Sequence, residues 1–200
     1  MDVLTRQKFI QLTLRRVKPG SGSTNEFLTT RTWNKQVTDL RQLIQANYVI
    51  VGGVATRLYM PERMTYDLDI LIHENEAAQA YLGLTEQNAR RMGDLSIGGT
   101  SWELPDKTIL DIITSKRAWV STALLHPRIG SDGQPVIDLP FLVLMKLEAS
   151  RTTDISDISR MLGQASDLEL DEVRKTIEMY DRNSVEDLES LIQLGKIEMS

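Results

Sequence analysis

The chain has 200 residues, a net charge of −5, 41% hydrophobic and 26% charged residues, and no cysteine. Disulfides and cysteine-based zinc sites are therefore excluded, and the acidic balance argues against a module that grips duplex nucleic acid through bulk charge. No apolar run reaches the length of a membrane span and the first residues lack the apolar core of a signal peptide, so a soluble, cytoplasmic protein of one domain with a small helical appendage is expected.

In chain order, residues 1–17 read as a short helix, and VKPGSGSTN (17–25) as a loop by its Pro, Gly and Ser content. Val37, Leu40, Leu43 and Ile44 recur at helical spacing, which predicts a helix over about 33–46. YVIVGG (48–53) reads as a buried strand closed by a glycine pair, VATRLYM as a short helix stopped by Pro61, and YDLDILI (66–72) as a second strand. A helix is expected over about 75–91, strands at SWEL and TILDIITS, a helix over about 116–125, and a short strand at PVIDL after the turn GSDGQ.

From Pro140 onward only helices are expected. PFLVLMKLEASR carries Pro in its first turn, DISDISRMLG ends at Gly163 as a C-cap, and SVEDLESLIQLG opens with Ser-x-x-Asp like a capping box. The expected fold is α/β (α+β): a small mixed sheet flanked by helices, with a C-terminal helical bundle. The division is an N-terminal extension over 1–35, a core over 36–139 and a helical domain over 140–200.

Two aspartates in an apolar strand raise the chemical question. Residues i and i+2 of a strand share a face, so Asp67 and Asp69 project together while Leu68 and Ile70 face the other way. Paired carboxylates repel, and one is pushed toward protonation unless a cation sits between them. TILDII offers Asp111 in the middle of another apolar strand. If the strands are neighbours, three carboxylates have the composition of a site for two metal ions such as Mg²⁺. The alternative is a solvated D-x-D on a hairpin. Gly52 and Gly53, between a strand and a helix fourteen residues before Asp67, favour the metal and phosphate reading, since glycines let backbone amides approach a phosphate.

VGGVATRLYMPERMTYDLDILI resembles the signature of the nucleotidyltransferase superfamily typified by DNA polymerase β: a glycine turn, a short helix and then a carboxylate pair on a strand. TILDII is similar to the segment carrying that superfamily's third carboxylate. LMKLEASRTTDISDISRML resembles the Lys-x-x-Ala-x-Arg-x-x-Asp-x-x-Asp region of minimal nucleotidyltransferase-like proteins, among them the toxins of type IV toxin–antitoxin (abortive infection) systems. Lys146, Arg151, Asp154 and Asp157 match that pattern, with the small residue Ala149 shifted in register. The matching stretches span residues 48 to about 162.

The resemblance implies a metal-dependent nucleotidyltransferase that uses an NTP as substrate and Mg²⁺ (or Mn²⁺) as cofactor. It implies that Gly52 and Gly53 contact the triphosphate, that Asp67 and Asp69 bind the metals, and that Asp111 holds the catalytic metal and serves as base. Arg63 and Thr65 match its R-x-T-x-D-hydrophobic-D form, with capping and loop anchoring as the alternative. Lys146 and Arg151 are implied as nucleotide-binding residues. The alternatives are a lysine stem lying over a half-buried surface and an ion-pair network with Asp154 and Asp157. The partners implied are an RNA acceptor such as a tRNA 3′ end and a cognate antitoxin. A small-molecule acceptor of the aminoglycoside type and a non-catalytic nucleotide-binding module stay open. His73 and His126 lack metal-ligand spacing, and the three tryptophans and eight methionines read as packing residues.

Overall fold

The computed structural model describes residues 1–22, 38–60, 65 and 67–200. They divide into two compact units, one drawn from Trp33–Ala55 and Met64–Asp138, the other from Met1–Thr32, Thr56–Arg63 and Leu139–Ser200. Among the described residues no helix is long and apolar enough to cross a membrane.

The first unit is built on a mixed sheet of seven strands: β1 (Tyr48–Val51), β2 (Leu68–His73), β3 (Arg90–Asp94), β4 (Gly99–Glu103), β5 (Ile109–Ser115), β6 (Arg128–Ile129) and β7 (Pro135–Val136). Their order is β3-β4-β5-β2-β1-β7-β6. β2 runs parallel to β5 and β1 parallel to β7, while the remaining pairs are antiparallel. The expected α/β class is therefore the class observed. One sheet face is almost wholly apolar: Ile50, Ile70, Ile72, Leu110 and Ile112 are buried. Trp102 lies on that face, against Tyr81 of the helix Ala77–Glu86, with ring centroids 5.8 Å apart. The opposite face buries Val49, Val51 and Leu71, but leaves Asp69, Asp111, Ser101 and Glu103 partly exposed. The period-2 alternation thus sorts the aspartates onto the less covered face.

Two expectations fail in this unit. Residues 38–46 form turns, not the end of a helix, and 33–37 lie outside the described residues. Side-chain bonds to the backbone, one local and one from a distant part of the chain, outcompete the helix there. Asp39 accepts from the Arg41 backbone at 3.0 Å, and Gln134 accepts from the Leu40 N–H at 2.9 Å. Hydrogen bonds from the Arg41 side chain also hold the Asp39 carboxyl down to about 2. The second failure is the helix expected to about residue 91, which stops at Glu86. Asn88 takes a left-handed φ of 60°, and Arg90–Asp94 pairs with β4 instead.

The second unit contains α1 (Val3–Leu14), α5 (Leu139–Ala149), α6 (Thr152–Gln164), α7 (Asp167–Tyr180) and α8 (Val185–Met199), where α2, α3 and α4 denote Gly52–Thr56, Ala77–Glu86 and Ala118–Leu125. Leu139 through Leu144 of α5 are buried, so this helix is apolar on nearly every side and forms the centre of its unit. Gly163 is not a cap. It lies inside α6, facing Gly195 of α8, where an added Cβ meets the Gly195 carbonyl oxygen at 2.4 Å. A Cβ on Gly195 meets the Ser159 carbonyl oxygen at 1.9 Å, so both positions need glycine to let the helix backbones touch.

Ser184 and Asp187 do not form a capping box either, because α1 claims both. Arg6, 4% exposed, donates to Asp187 Oδ2 at 2.7 Å and to the Leu147 carbonyl, Ser150 Oγ and Ser184 Oγ, each at 2.8 Å. A capping box does form at the start of α7, where Ser166 and Glu169 bond reciprocally.

Arg6→Ala leaves Asp187 buried without its cation and is expected to cost about 3–5 kcal/mol; urea unfolding measures it, and a loss under 1 kcal/mol refutes the anchoring role. Gly195→Ala is expected to destabilise by ~1–3 kcal/mol through overpacking at the backbone contact. Retention of full stability by Gly195→Ala shows that the helices can part without cost.

Candidate active site

Parallel pairing of β2 with β5 sets Asp69 beside Asp111, their Cα atoms directly in register. Side chains so placed share a face about 5 Å apart. On the other flank Val51 of β1 is the register partner of Asp69, and the chain turns there into Gly52. Gly52 has φ +61°, and an added Cβ would lie 2.0 Å from Asp69 Oδ2. Glycine is demanded twice at this position, by backbone conformation and by the carboxylate packed against it. At Gly53 an added Cβ would meet the Thr65 side chain at 2.7 Å, so Thr65 sits against the same turn.

Five of the expected site residues, Gly52, Gly53, Thr65, Asp69 and Asp111, are thus tied together by strand register and by close contact at the turn. Asp67 stands one residue before β2 and is exposed. Among the described residues no three acidic or histidine side chains form a group that could hold a metal ion. The three-carboxylate cluster anticipated from the strand pattern is therefore reduced to a registered pair with Asp67 outside it. Without a cation a third carboxylate is repelled by the other two, and beyond the strand end no ladder bonds hold Asp67 in the pleat. Arg63 lies outside the described residues.

Lys146 and Arg151 belong to the other unit. Lys146 is buried, its ammonium 3.1 Å from Asp154 Oδ1 and 2.8 Å from Asp157 Oδ2. Arg151 Nε lies 2.7 Å from Asp154 Oδ2, and that carboxylate also accepts from the Arg151 backbone N–H as α6 begins. The ion-pair network weighed as the alternative for Arg151 is present through Asp154, and Lys146 is drawn into it with a buried ammonium instead of a stem lying over a half-buried surface. Lys146, Asp154 and Asp157 are buried and form an integral part of the α5–α6 packing, since removing one of them strands a buried charge, whereas the Arg151 side chain is largely exposed.

Two features of the carboxylate pair bear on a metal. Asp111 Oδ1 is buried and has no hydrogen-bond partner, which is costly for an acceptor and calls for an unseen donor or cation. Beside Asp69 the Gly52–Gly53 turn presents backbone without side chains. Mg²⁺ is held by one or two carboxylates together with substrate phosphates, and seldom by an all-protein cage. The pair fits a hard divalent cation that arrives with a nucleotide. Ser101 of β4, the register partner of Asp111, was not singled out in the sequence; only the strand pairing reveals it.

No family model and no curated protein matches the chain. Among solved structures it is similar to ANT(2'')-Ia in complex with adenylyl-2''-tobramycin, at 17% identity and a TM-score of 0.40 over 74% of this chain and 87% of that one. It is similar to the antibiotic-resistance factor ANT(2'')-Ia in solution, at 13% identity and a TM-score of 0.40 over 72% and 80% of the two chains. A third is the Thermotoga maritima CCA-adding enzyme complexed with tRNA, at 13% identity and a TM-score of 0.36 over 80% of this chain and 53% of that enzyme.

Proposed function

We propose that this chain is a divalent-metal-dependent nucleotidyltransferase that moves NMP from an NTP to a hydroxyl acceptor and releases pyrophosphate. The observation that supports it best is the in-register pair Asp69 and Asp111, with a Gly52 backbone that only glycine can supply packed on Asp69. Asp69 and Asp111, together with Asp67, would hold Mg²⁺, which would supply stabilisation of the negative charge that builds on the transferring phosphate.

The protein's own part is positional. The Gly52–Gly53 turn admits the triphosphate close to backbone, and Thr65 braces that turn. Asp111 accepts the proton of the acceptor hydroxyl. The acceptor oxygen forms its bond to the α-phosphorus as the bond to the β-phosphate oxygen breaks, and the electron pair leaves with pyrophosphate. Arg63, Lys146 and Arg151 are carried as phosphate ligands by the sequence resemblance. For Lys146 the role requires exchange of an aspartate partner for phosphate.

The working division is a catalytic core over residues 36–139 followed by a helical domain, in a cytoplasmic protein. For the acceptor, the Arg63-to-Asp69 and Lys146-to-Asp157 patterns support a toxin acting on RNA such as a tRNA 3′ end, held in check by an antitoxin. A net charge of −5 favours a second reading, an aminoglycoside-type small molecule. A transfer assay with α-labelled NTPs, Mg²⁺ and either total RNA or an aminoglycoside panel separates them by where the label lands.

Asp69→Asn and Asp111→Asn are each expected to reduce transfer at least a thousandfold while the melting temperature stays level or rises, because one of two facing charges is removed. Transfer that survives both substitutions sinks the proposal. Gly52→Ala is expected to lose transfer and also ~1–3 kcal/mol of stability, from a left-handed non-glycine residue and the clash with Asp69. Denaturant unfolding in parallel with the assay checks it.

A further inference from the structure

A single row crosses the sheet on its less covered face: Asp69 of β2, Asp111 of β5, Ser101 of β4 and Gly93 of β3 are successive register partners. At the β1 side the row is closed by Val51 and by Gly52 packed on Asp69. At the β3 side it is open, since an added Cβ on Gly93 would meet nothing within 4 Å. Ser101 is thus the polar side chain one strand beyond the carboxylate pair, and it is partly exposed.

Two polar groups in this row lack partners. Asp111 Oδ1 is buried and accepts no hydrogen bond. Among the described residues the Ser101 hydroxyl has none either, although its neighbour Thr100 on the other face accepts from Trp102 Nε1 at 2.7 Å. Packing gives no reason for serine at position 101, because Thr or Val suits a half-buried strand better. A hydroxyl hydrogen rotates freely about its C–O bond, and the Cβ atoms of registered antiparallel partners lie about 4.5–5.5 Å apart. A hydroxyl with no protein partner therefore stands within reach of a buried acceptor that has none.

The geometry points to Ser101 as a positioning residue for the metal–nucleotide site: when the site is loaded, its hydroxyl donates to Asp111 Oδ1 and fixes the orientation in which the other oxygen meets the cation. This rests on the nucleotidyltransferase reading above. Groups that orient a metal-binding carboxylate without touching the metal are commonly worth 10–100-fold in metal affinity.

The test compares wild type, Asp111→Asn, Ser101→Ala, Ser101→Thr and Ser101→Val for binding of Mn²⁺ with α,β-methylene-ATP, read by electron paramagnetic resonance, with melting temperatures alongside. Thr and Val have the same shape and differ by the hydroxyl. Ser101→Ala and Ser101→Val are expected to weaken Mn²⁺ binding about tenfold or more, and Ser101→Thr to retain it, with all three folded. Equal affinity for the Thr and Val variants overturns the role of the hydroxyl. A loss in Asp111→Asn with none in Ser101→Ala overturns the Ser101 proposal and leaves the nucleotidyltransferase reading standing. Failure of the wild type to bind any Mn²⁺–nucleotide overturns both.

Discussion

The parallel pairing of β2 with β5 is the constraint on which the candidate chemistry depends. Without it Asp69 and Asp111 are two isolated acids, each in an apolar strand, forty-two positions apart. With it they become neighbours on one face, and the cost of holding two like charges together becomes a demand for a cation. A slip of one residue would turn one carboxylate into the apolar core among Ile70, Ile72, Leu110 and Ile112. Burial of those isoleucines and leucines therefore enforces the carboxylate pair, because register cannot change without exposing them. Stability of the sheet and geometry of the site are one quantity here.

The helical unit solves a different electrostatic problem. While Arg160 Nε of α6 is buried without a partner, two of the unit's buried charge clusters are paired within the fold, Arg6 with Asp187 and Lys146 with Asp154 and Asp157. These residues are ionic yet satisfied, whereas Asp111 is ionic and keeps one oxygen unsatisfied. That difference ranks the carboxylate pair above the lysine cluster as a candidate place for chemistry.

Much of this was legible in the sequence because it is local. The strands at 48–51, 68–73 and 109–115 announce themselves by β-branched runs between turn residues, and Gly52 by its place between strand and helix. The parts that were hidden depend on partners distant in the chain. Leu40 and Ile44 have helical spacing, but Gln134, some ninety residues on, takes up the backbone that a helix would use. Gly163 resembles a helix stop until Gly195 is seen across from it. Ser184 and Asp187 have the spacing of a capping box, but Arg6 outbids the helix end for both side chains. Ser101 carries no signal in its own neighbourhood, since its meaning comes from lying two strands from Asp69. Position along the chain gave the carboxylates; position across the sheet gave the residue beside them.

The Arg6 anchor also has a bearing on the order in which the chain acquires its structure. Its four partners lie 141, 144, 178 and 181 residues downstream. During synthesis α1 must wait for 181 further residues before its buried guanidinium finds the Asp187 carboxylate. Until then Arg6 stays hydrated and the inner face of α1, with Ile10, stays uncovered. The sheet, whose strands close over shorter separations, can assemble ahead of it. Docking of the N-terminal helix is then a late event that reports on completion of the helical unit as a whole.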